Sequence, residues 1–431
     1  MCAWERVVFT VPAVSVMSRS YREEVKESQK DEPRRVAVLG ATGSIGASAL
    51  DVIAASGGRL AAAVLTAHRQ TAKLAELARR FRPETLVVTD PEADRAPLAE
   101  LERTTRVLYG PEGLDEAVSS PEIDVVLAAI VGGAGLRGSW RALEAGKTLA
   151  LANKESLVLA GSLLFDLARK NGGRILPVDS EHSAIWQALA SCRPAETPYG
   201  ASCGSDPAER KDLVRRLILT ASGGPFRNKP LDELRRVTVG EALAHPTWKM
   251  GKKITIDSAT MMNKAFEIIE ARWLFDLPPE KIDVVIHPQS IIHSMVEFVD
   301  GAVIAQMGTP DMRLPIQLAL CGMERRRCPA PSLDWSRARA LELFPPDEER
   351  FPAIPLGRRV ARDGGSAGAV VNAANEVAVA AFLAGKIPFH KITGICQSIL
   401  EHHQFEQEPS LERLFELDRQ ARTETQTWIS D

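Results

Sequence analysis

The chain has 431 residues, 45% hydrophobic and 25% charged, with 53 Lys+Arg against 56 Asp+Glu and a formal net charge of −3. That length exceeds one ordinary core and points to two or three domains, and the balanced charge gives no reason to expect nucleic acid or an acidic membrane surface as a partner. No apolar run reaches the roughly 18–20 residues of a membrane helix, and the six cysteines, without CxxC or zinc-finger spacing, read as reduced thiols of a cytoplasmic protein.

Residues 1–33 read as an extension ahead of the fold. Val7 to Val16 is mildly apolar, but Glu5 precedes it, no strong cleavage signal follows, and Ser18 to Arg35 is dense in charge. A disordered extension is expected, or a start placed too early with Met17 the true one. From Arg34 to about Asp179, the apolar runs RRVAVLG, RLAAAVLT, ETLVVTD, IDVVLAAIVG, KTLALANKE and RILPVD alternate with helix-like stretches such as Ala49–Ala55 and Thr71–Phe81. That alternation indicates a parallel, doubly wound sheet, hence an α/β, Rossmann-like N-terminal domain over 34–180. A mixed α+β domain over 181–327 follows, with strand candidates LILTA, KIDVVIH, HSMVEFVD and AVIAQMG. The Pro- and Arg-rich segment 328–355 reads as a linker. Residues 356–431 read as a helical domain, with helices at Gly368–Leu383 and near Leu411–Arg422.

VAVLGATGSIG ends a strand and opens a helix, with glycines at 40, 43 and 46. They suit a tight turn, a close approach to pyrophosphate and helix-on-strand packing, with the phosphates on the free N–H groups of Thr42, Gly43, Ser44 and Ile45. After the second strand, where an NAD-binding fold places an acid for the ribose, stand Ala67, His68 and Arg69. A missing acid beside a present Arg fits a 2′-phosphate and therefore NADPH; a solvated surface Arg is the plain alternative. Further chemical residues fall at strand ends, where such folds bind ligands: Gly132–Gly135, Asn153-Lys154-Glu155 and Asp179-Ser180-Glu181.

Asp179 and Glu181, two apart on an extended strand end, would point to one side, and their like charges call for a cation. Oxygen ligands suit Mg²⁺ or Mn²⁺; two acids on a solvated surface are the competing reading. A third acid comes from DSATMMNKAFEIIEARWLF, read as one helix capped by Ser258, in which Asn263 and Glu267 share a face. Glu270, one turn on, reads as structural or paired with an Arg. TASGGPF (220–226) has the form of a strand ending in a phosphate-cradling turn. HPTWKMGKK (245–253) reads as a lid, with Trp248 and Met250 to cover a substrate and lysines to attract phosphate. His287 and His293 are expected to be packing or interface residues, since a spacing of six on a strand and turn suits no metal.

Taken together, GATGSIG, ANKESLV, PVDSEHSAIWQ, TASGGPF, HPTWKMGKKITIDSATMMNKAFEIIEARWLF, HPQSIIHSMVEF, GTPDMRLPIQLAL and NAANEVAVAAF stand in the order of one family. From about Arg34 to about residue 420 the chain resembles the 1-deoxy-D-xylulose 5-phosphate reductoisomerase family. The resemblance implies NADPH-dependent rearrangement and reduction of that sugar phosphate, and a homodimer. It implies metal ligands at Asp179, Glu181 and Glu267. Substrate contacts would be Lys154, Ser180, Glu181, Ser222, His245, Ser258, Asn263, Lys264 and Glu267, with Ser222, Ser258, Asn263 and Lys264 on the phosphate. Cofactor contacts would be Thr42, Gly43, Ser44, Ile45, Asn153, Glu155 and Gly251, with Trp248 in the flap and Met312 as an apolar wall. Two departures stand out: Ala67-His68-Arg69 replaces the family's frequent Gly-Lys-Asn, and the stretch from Cys192 to Asp212 is longer than usual and reads as a surface loop. Two rivals compete with this reading. A semialdehyde or homoserine dehydrogenase would not need the acid cluster, and an NADPH-binding redox regulator would need neither acids nor lid.

Overall fold

Seven short strands build the first sheet: β1 (Arg34–Leu39), β2 (Leu60–Ala67), β3 (Thr85–Val88), β4 (Arg106–Tyr109), β5 (Val125–Ala128), β6 (Thr148–Leu151) and β7 (Arg174–Pro177). The computed structural model describes residues 32–190, 211–248, 250–322, 324–336 and 340–430. The expectations for residues 1–31 and for most of the 192–212 loop lie outside these. All pairings in the sheet are parallel, in the order β4-β3-β2-β1-β5-β6-β7. β5 and β6 are buried along their whole length, which is why they read as unbroken apolar runs. β4 was not expected: it is an edge strand of four residues, none fully buried, and lacks such a run.

Helices join the strands: α1 (Ser44–Ala55), α2 (Thr71–Phe81), α3 (Gly110–Ser119), α4 (Leu136–Glu144), α5 (Lys154–Asn171) and α6 (Ser180–Ala190). Strand order reverses between β1 and β5, so the turns after them share one crevice. There a Cβ on Gly40 would stand 2.8 Å from the Ala129 carbonyl oxygen, and one on Gly46 2.5 Å from that of Gly40. Only glycine permits this closeness.

The second sheet comprises β8 (Val214–Ala221), β9 (Ile282–Ile286), β10 (Ile292–Phe298) and β11 (Val303–Met307), in the order β11-β10-β8-β9. β8 and β9 are parallel and the other pairs antiparallel. Between β8 and β9 lie α7 (Leu231–Leu234), α8 (Val239–Leu243), α9 (Lys252–Ala259) and α10 (Met262–Leu274). Then come α11 (Arg313–Leu320), α12 (Ala353–Asp363), α13 (Ala367–Leu383), α14 (Lys391–His402) and α15 (Leu411–Ser430). α10 is the hub, buried on most sides and packed on α5 and α12, while α13 packs on α5, α14 and α15. Among the described residues no helix is long and apolar enough to cross a membrane.

One expected helix is two. Ser258 lies inside α9 and caps nothing, because the chain breaks at Thr260 and Met261. Met261 takes a left-handed φ of 62°, at a cost of about 1 kcal/mol for a residue with a Cβ. The break lets α9 and α10 approach one cavity from different directions.

Candidate active site

Asp179 and Glu181 meet, but not on a strand. β7 stops at Pro177 and α6 begins at Ser180, so Asp179 precedes the first turn of a helix whose Glu181 N–H it accepts at 3.2 Å. Glu267 arrives from α10, and carboxylate oxygens of Asp179, Glu181 and Glu267 lie within 4.8 Å of one another. Two lysines balance them. Lys154 Nζ is 2.6 Å from Asp179 Oδ2 and 3.1 Å from Glu267 Oε1. Lys264 donates to Glu181 at 3.1 Å, to Glu267 and to the Thr220 carbonyl, so two carboxylates and one backbone oxygen share its ammonium. Asn263 also donates to Glu267, and Ser180 to Glu181.

Burial and the neighbouring Glu181 and Asp179 raise the pKa of Glu267. Burial opposes ionisation of Asp179 too, yet Lys154 and His182 hold its carboxyl well below the usual range. Burial likewise works against the Lys154 ammonium, and Asp179, Glu267 and Glu270 more than reverse it. Three crowded carboxylates presenting hard oxygen donors fit a divalent cation such as Mg²⁺ or Mn²⁺.

Sequence reasoning missed His182; of the two readings of Glu270, structural or paired with an Arg, the second does not hold among the described residues, where its carboxylate lies buried beside His182. His182 Nε2 donates to the Glu267 carbonyl at 2.9 Å; its Nδ1 is 3.3 Å from Asp179 Oδ1 and 3.7 Å from Glu270 Oε2. Burial disfavours the imidazolium, but Glu270 and Asp179 outweigh it and raise its pKa to about 9. Burial pushes Glu270 up to about 8. The pair holds a proton behind the carboxylate cluster. The spacing of three from Asp179 to His182, at a helix start, was the available signal; the partner across α10 left none.

The opposite wall is a polar cradle. β8 ends at Ala221, and Gly223 and Gly224 take left-handed φ of 80° and 66°. His245 Nε2 is 3.1 Å from both Ser222 Oγ and Ser258 Oγ, and its Nδ1 accepts the N–H groups of Thr247 (3.1 Å) and Trp248 (2.9 Å). Nδ1 is therefore unprotonated and Nε2 carries the proton toward the serines. Burial and the nearby Arg227 hold this imidazole below its ordinary pKa. The lid expectation needs one amendment: Lys253 belongs to α9 and does not reach for phosphate. Its ammonium is a tie between Glu155 (2.7 Å) and Asp257 (2.8 Å). Lys249 lies outside the described residues.

Carboxylates and cradle face one cavity of about 910 Å³. Lys154, Asp179, Ser180, Glu181, Asn263, Lys264 and Glu267 line it at one end, and Ser222, His245, Trp248, Met250 and Ser258 at the other. The Trp248 and His293 rings are 6.4 Å apart, so His293 packs under the flap. His287 is buried and bonds the Glu342 carbonyl and the N–H groups of Ile291 and Ile292. Ser44, Ile45, Asn153, Glu155, Gly251 and Met312 line the cavity's dinucleotide side. Asn153 caps α5, accepting the Ser156 N–H at 3.1 Å, and donates to Gly132 O at 3.1 Å and to Glu155 at 2.8 Å. Gly43, whose own N–H is donated to Gly40 O at 3.0 Å, precedes α1, which carries no side-chain cap and no acid in its first turn, the electrostatics of a helix start that suits an anion. Thr42, Gly43, Ala67, His68 and Arg69 do not line the cavity; Ala67 is the last residue of β2, and His68 and Arg69 follow it.

Comparison with known proteins gives the family. Patterns described as 1-deoxy-D-xylulose 5-phosphate reductoisomerase match residues 36–161, and those of the C-terminal domains of that enzyme match 175–275 and 307–424. The Rhodopirellula baltica 1-deoxy-D-xylulose 5-phosphate reductoisomerase is 50% identical over 425 residues, covering 90% of this chain and 93% of that protein. The Zymomonas mobilis enzyme, solved in complex with NADPH, superimposes with a TM-score of 0.82 at 45% identity, covering 92% of this chain and 99% of that one. A reductoisomerase solved with NADPH, fosmidomycin and magnesium gives 0.85 at 41% identity, covering 92% and 98%. With the dinucleotide fold, the acid cluster and the matched length in accord, the chain belongs to the 1-deoxy-D-xylulose 5-phosphate reductoisomerase family.

Proposed function

We propose that this cavity converts 1-deoxy-D-xylulose 5-phosphate to 2-C-methyl-D-erythritol 4-phosphate, a step toward isoprenoid precursors by the non-mevalonate pathway, with NADPH and Mg²⁺ or Mn²⁺ as cofactors. The observation that carries the reading is the meeting of Asp179, Glu181 and Glu267 beside Lys154 at the mouth of a dinucleotide fold. When bound, the divalent cation supplies Lewis-acid polarisation of the ketone and neighbouring hydroxyl, and NADPH supplies the hydride.

The protein's own residues do the rest. Asp179, Glu181 and Glu267 hold the cation, with Ser180 and Asn263 orienting two of them. Lys154, buried and kept protonated by its acids, stabilises negative charge developing on the substrate oxygens. Ser222, Ser258, Asn263, Lys264 and His245 would hold the phosphate. Trp248 and Met250 cover the site and exclude water. The N–H groups of Thr42, Gly43, Ser44 and Ile45 hold the pyrophosphate. Asn153, Glu155 and Gly251 position the nicotinamide end, and Ala67, His68 and Arg69 the adenosine end.

The same reading makes the protein a cytoplasmic homodimer. Cys321, Cys328 and Cys396 are free thiols. β11 pairs only with β10 among the described residues, and exposed Val303 on it, with Val299 and Leu213 nearby, forms an apolar edge that a second copy would cover. Sedimentation at micromolar concentration tests the dimer. The reaction is tested by following NADPH oxidation on adding the sugar phosphate and Mg²⁺, with and without chelator. No oxidation, or oxidation indifferent to chelator, rejects the reading.

A further inference from the structure

Beyond the end of β2, the side chain of Arg69 is 74% exposed, yet one of its atoms is fixed: Nε donates to Asp90 Oδ2. Asp90 is only 8% exposed and is itself held, its other oxygen accepting the Glu92 N–H at 2.9 Å. The parallel register of Ala67 with Val88 continues past both strands through Thr89 N–H to Ala67 O at 2.9 Å, which sets residues 68–69 beside 89–90. His68 follows the same pattern, with Nδ1 3.1 Å from Thr89 Oγ1 and Nε2 3.9 Å from Asp90.

A guanidinium has five N–H donors in a rigid fork. With Nε donating to Asp90, the far edge of the guanidinium, on a side chain 74% exposed, remains for a ligand. That is the end that grips a phosphate in two-point fashion. Free in solvent, the same side chain would have to give up several rotatable bonds on binding; here much of that loss has already been taken at folding. Asp90 also carries a negative charge near any bound phosphate, which works the other way. The Arg69 guanidinium paired directly with Asp90 offsets that charge, whereas the repulsion acts on the phosphate only from behind it.

We infer that Asp90 is the positioning residue for cofactor choice: it holds Arg69 as a preset fork for the 2′-phosphate of NADPH and so sets the preference over NADH. This rests on the cofactor reading above. Arg69 is the group that touches the phosphate; Asp90 acts through it.

The test is equilibrium binding of NADPH, NADH and 2′,5′-ADP by calorimetry to the wild type, Asp90→Asn, Arg69→Ala and the double variant. Asp90→Asn should weaken NADPH and 2′,5′-ADP by about tenfold and leave NADH within about twofold. Arg69→Ala should do the same, and the double variant should lose little more than Arg69→Ala, as expected of residues acting as one unit. Tighter or unchanged NADPH binding in Asp90→Asn, with Arg69→Ala weakened, overturns the role of Asp90 alone and marks the acid as a repelling neighbour. Unchanged NADPH binding in Arg69→Ala removes the 2′-phosphate from this corner altogether. Parallel loss of NADPH and NADH in Asp90→Asn shows a purely structural acid and also overturns the inference.

Discussion

Glu267 is 1% exposed, and with Asp179 and Glu181 beside it the site is short of positive charge even after Lys154 and Lys264 are counted. A cation that binds only the folded state at about 100 times its Kd should stabilise it by about 2.7 kcal/mol. Melting with and without Mg²⁺ should show that gain in the wild type and lose it in Glu267→Ala. Asp179→Ala and Glu267→Ala should abolish metal-dependent turnover while NADPH binding persists; full activity in either refutes the assignment. His245 gives a second prediction. Its folded pKa lies below the ordinary value, so as pH falls through about 6.5 the unfolded chain takes up the proton first and folded-state stability drops. The unfolding free energy of wild type minus that of His245→Asn should therefore decrease as pH falls from about 7.5 to 5.5, as read in urea melts; a flat difference rejects the lowered pKa. The acids were legible in the sequence because their spacing was short or helical. Asp90 was not, since it matters through a contact with the end of β2, and of His182 only the local spacing from Asp179 was legible, not its partner Glu270 on α10.

At the scale of elements, strands buried on both faces announced themselves and the half-exposed β4 did not. The regular helix signal of DSATMMNKAFEIIE hid the break at Met261, because nothing in the local pattern forces a left-handed methionine; the packing of two helices around one cavity does. α9 is fastened where it leaves the flap. Lys253 lies between Glu155 on α5 and Asp257, which in turn accepts from Asn375 on α13 at 2.8 Å. Lys253→Met would strand two buried carboxylates and should cost about 3 kcal/mol in denaturant unfolding, with a rise in the Kd for NADPH because Glu155 loses its partner. A variant as stable as the wild type would mean the acids find protons or water instead.

Across the whole molecule, the dinucleotide sheet and the second sheet share their functional end because α5 and α10 pack against each other and each brings a site residue to the contact, Lys154 and Glu267. The alternation of strand and helix made the first layer readable from sequence. The C-terminal helices were readable as helices but not as part of the cofactor side. Yet Glu376 on α13 accepts the Gly133 N–H at 3.0 Å just past β5, and Arg422 on α15 holds Glu376 at 2.7 Å. Arg422→Ala should loosen that turn, weakening NADPH binding by a few-fold with little change in the KM for the sugar phosphate; equal loss in both would point to general destabilisation.

The Gly133 contact spans 243 residues, and this has a bearing on biosynthesis. A ribosome making this polypeptide delivers the glycine-rich turn long before α13 and α15, so a nascent chain can form most of the parallel sheet while one lip of the nucleotide crevice still lacks its brace.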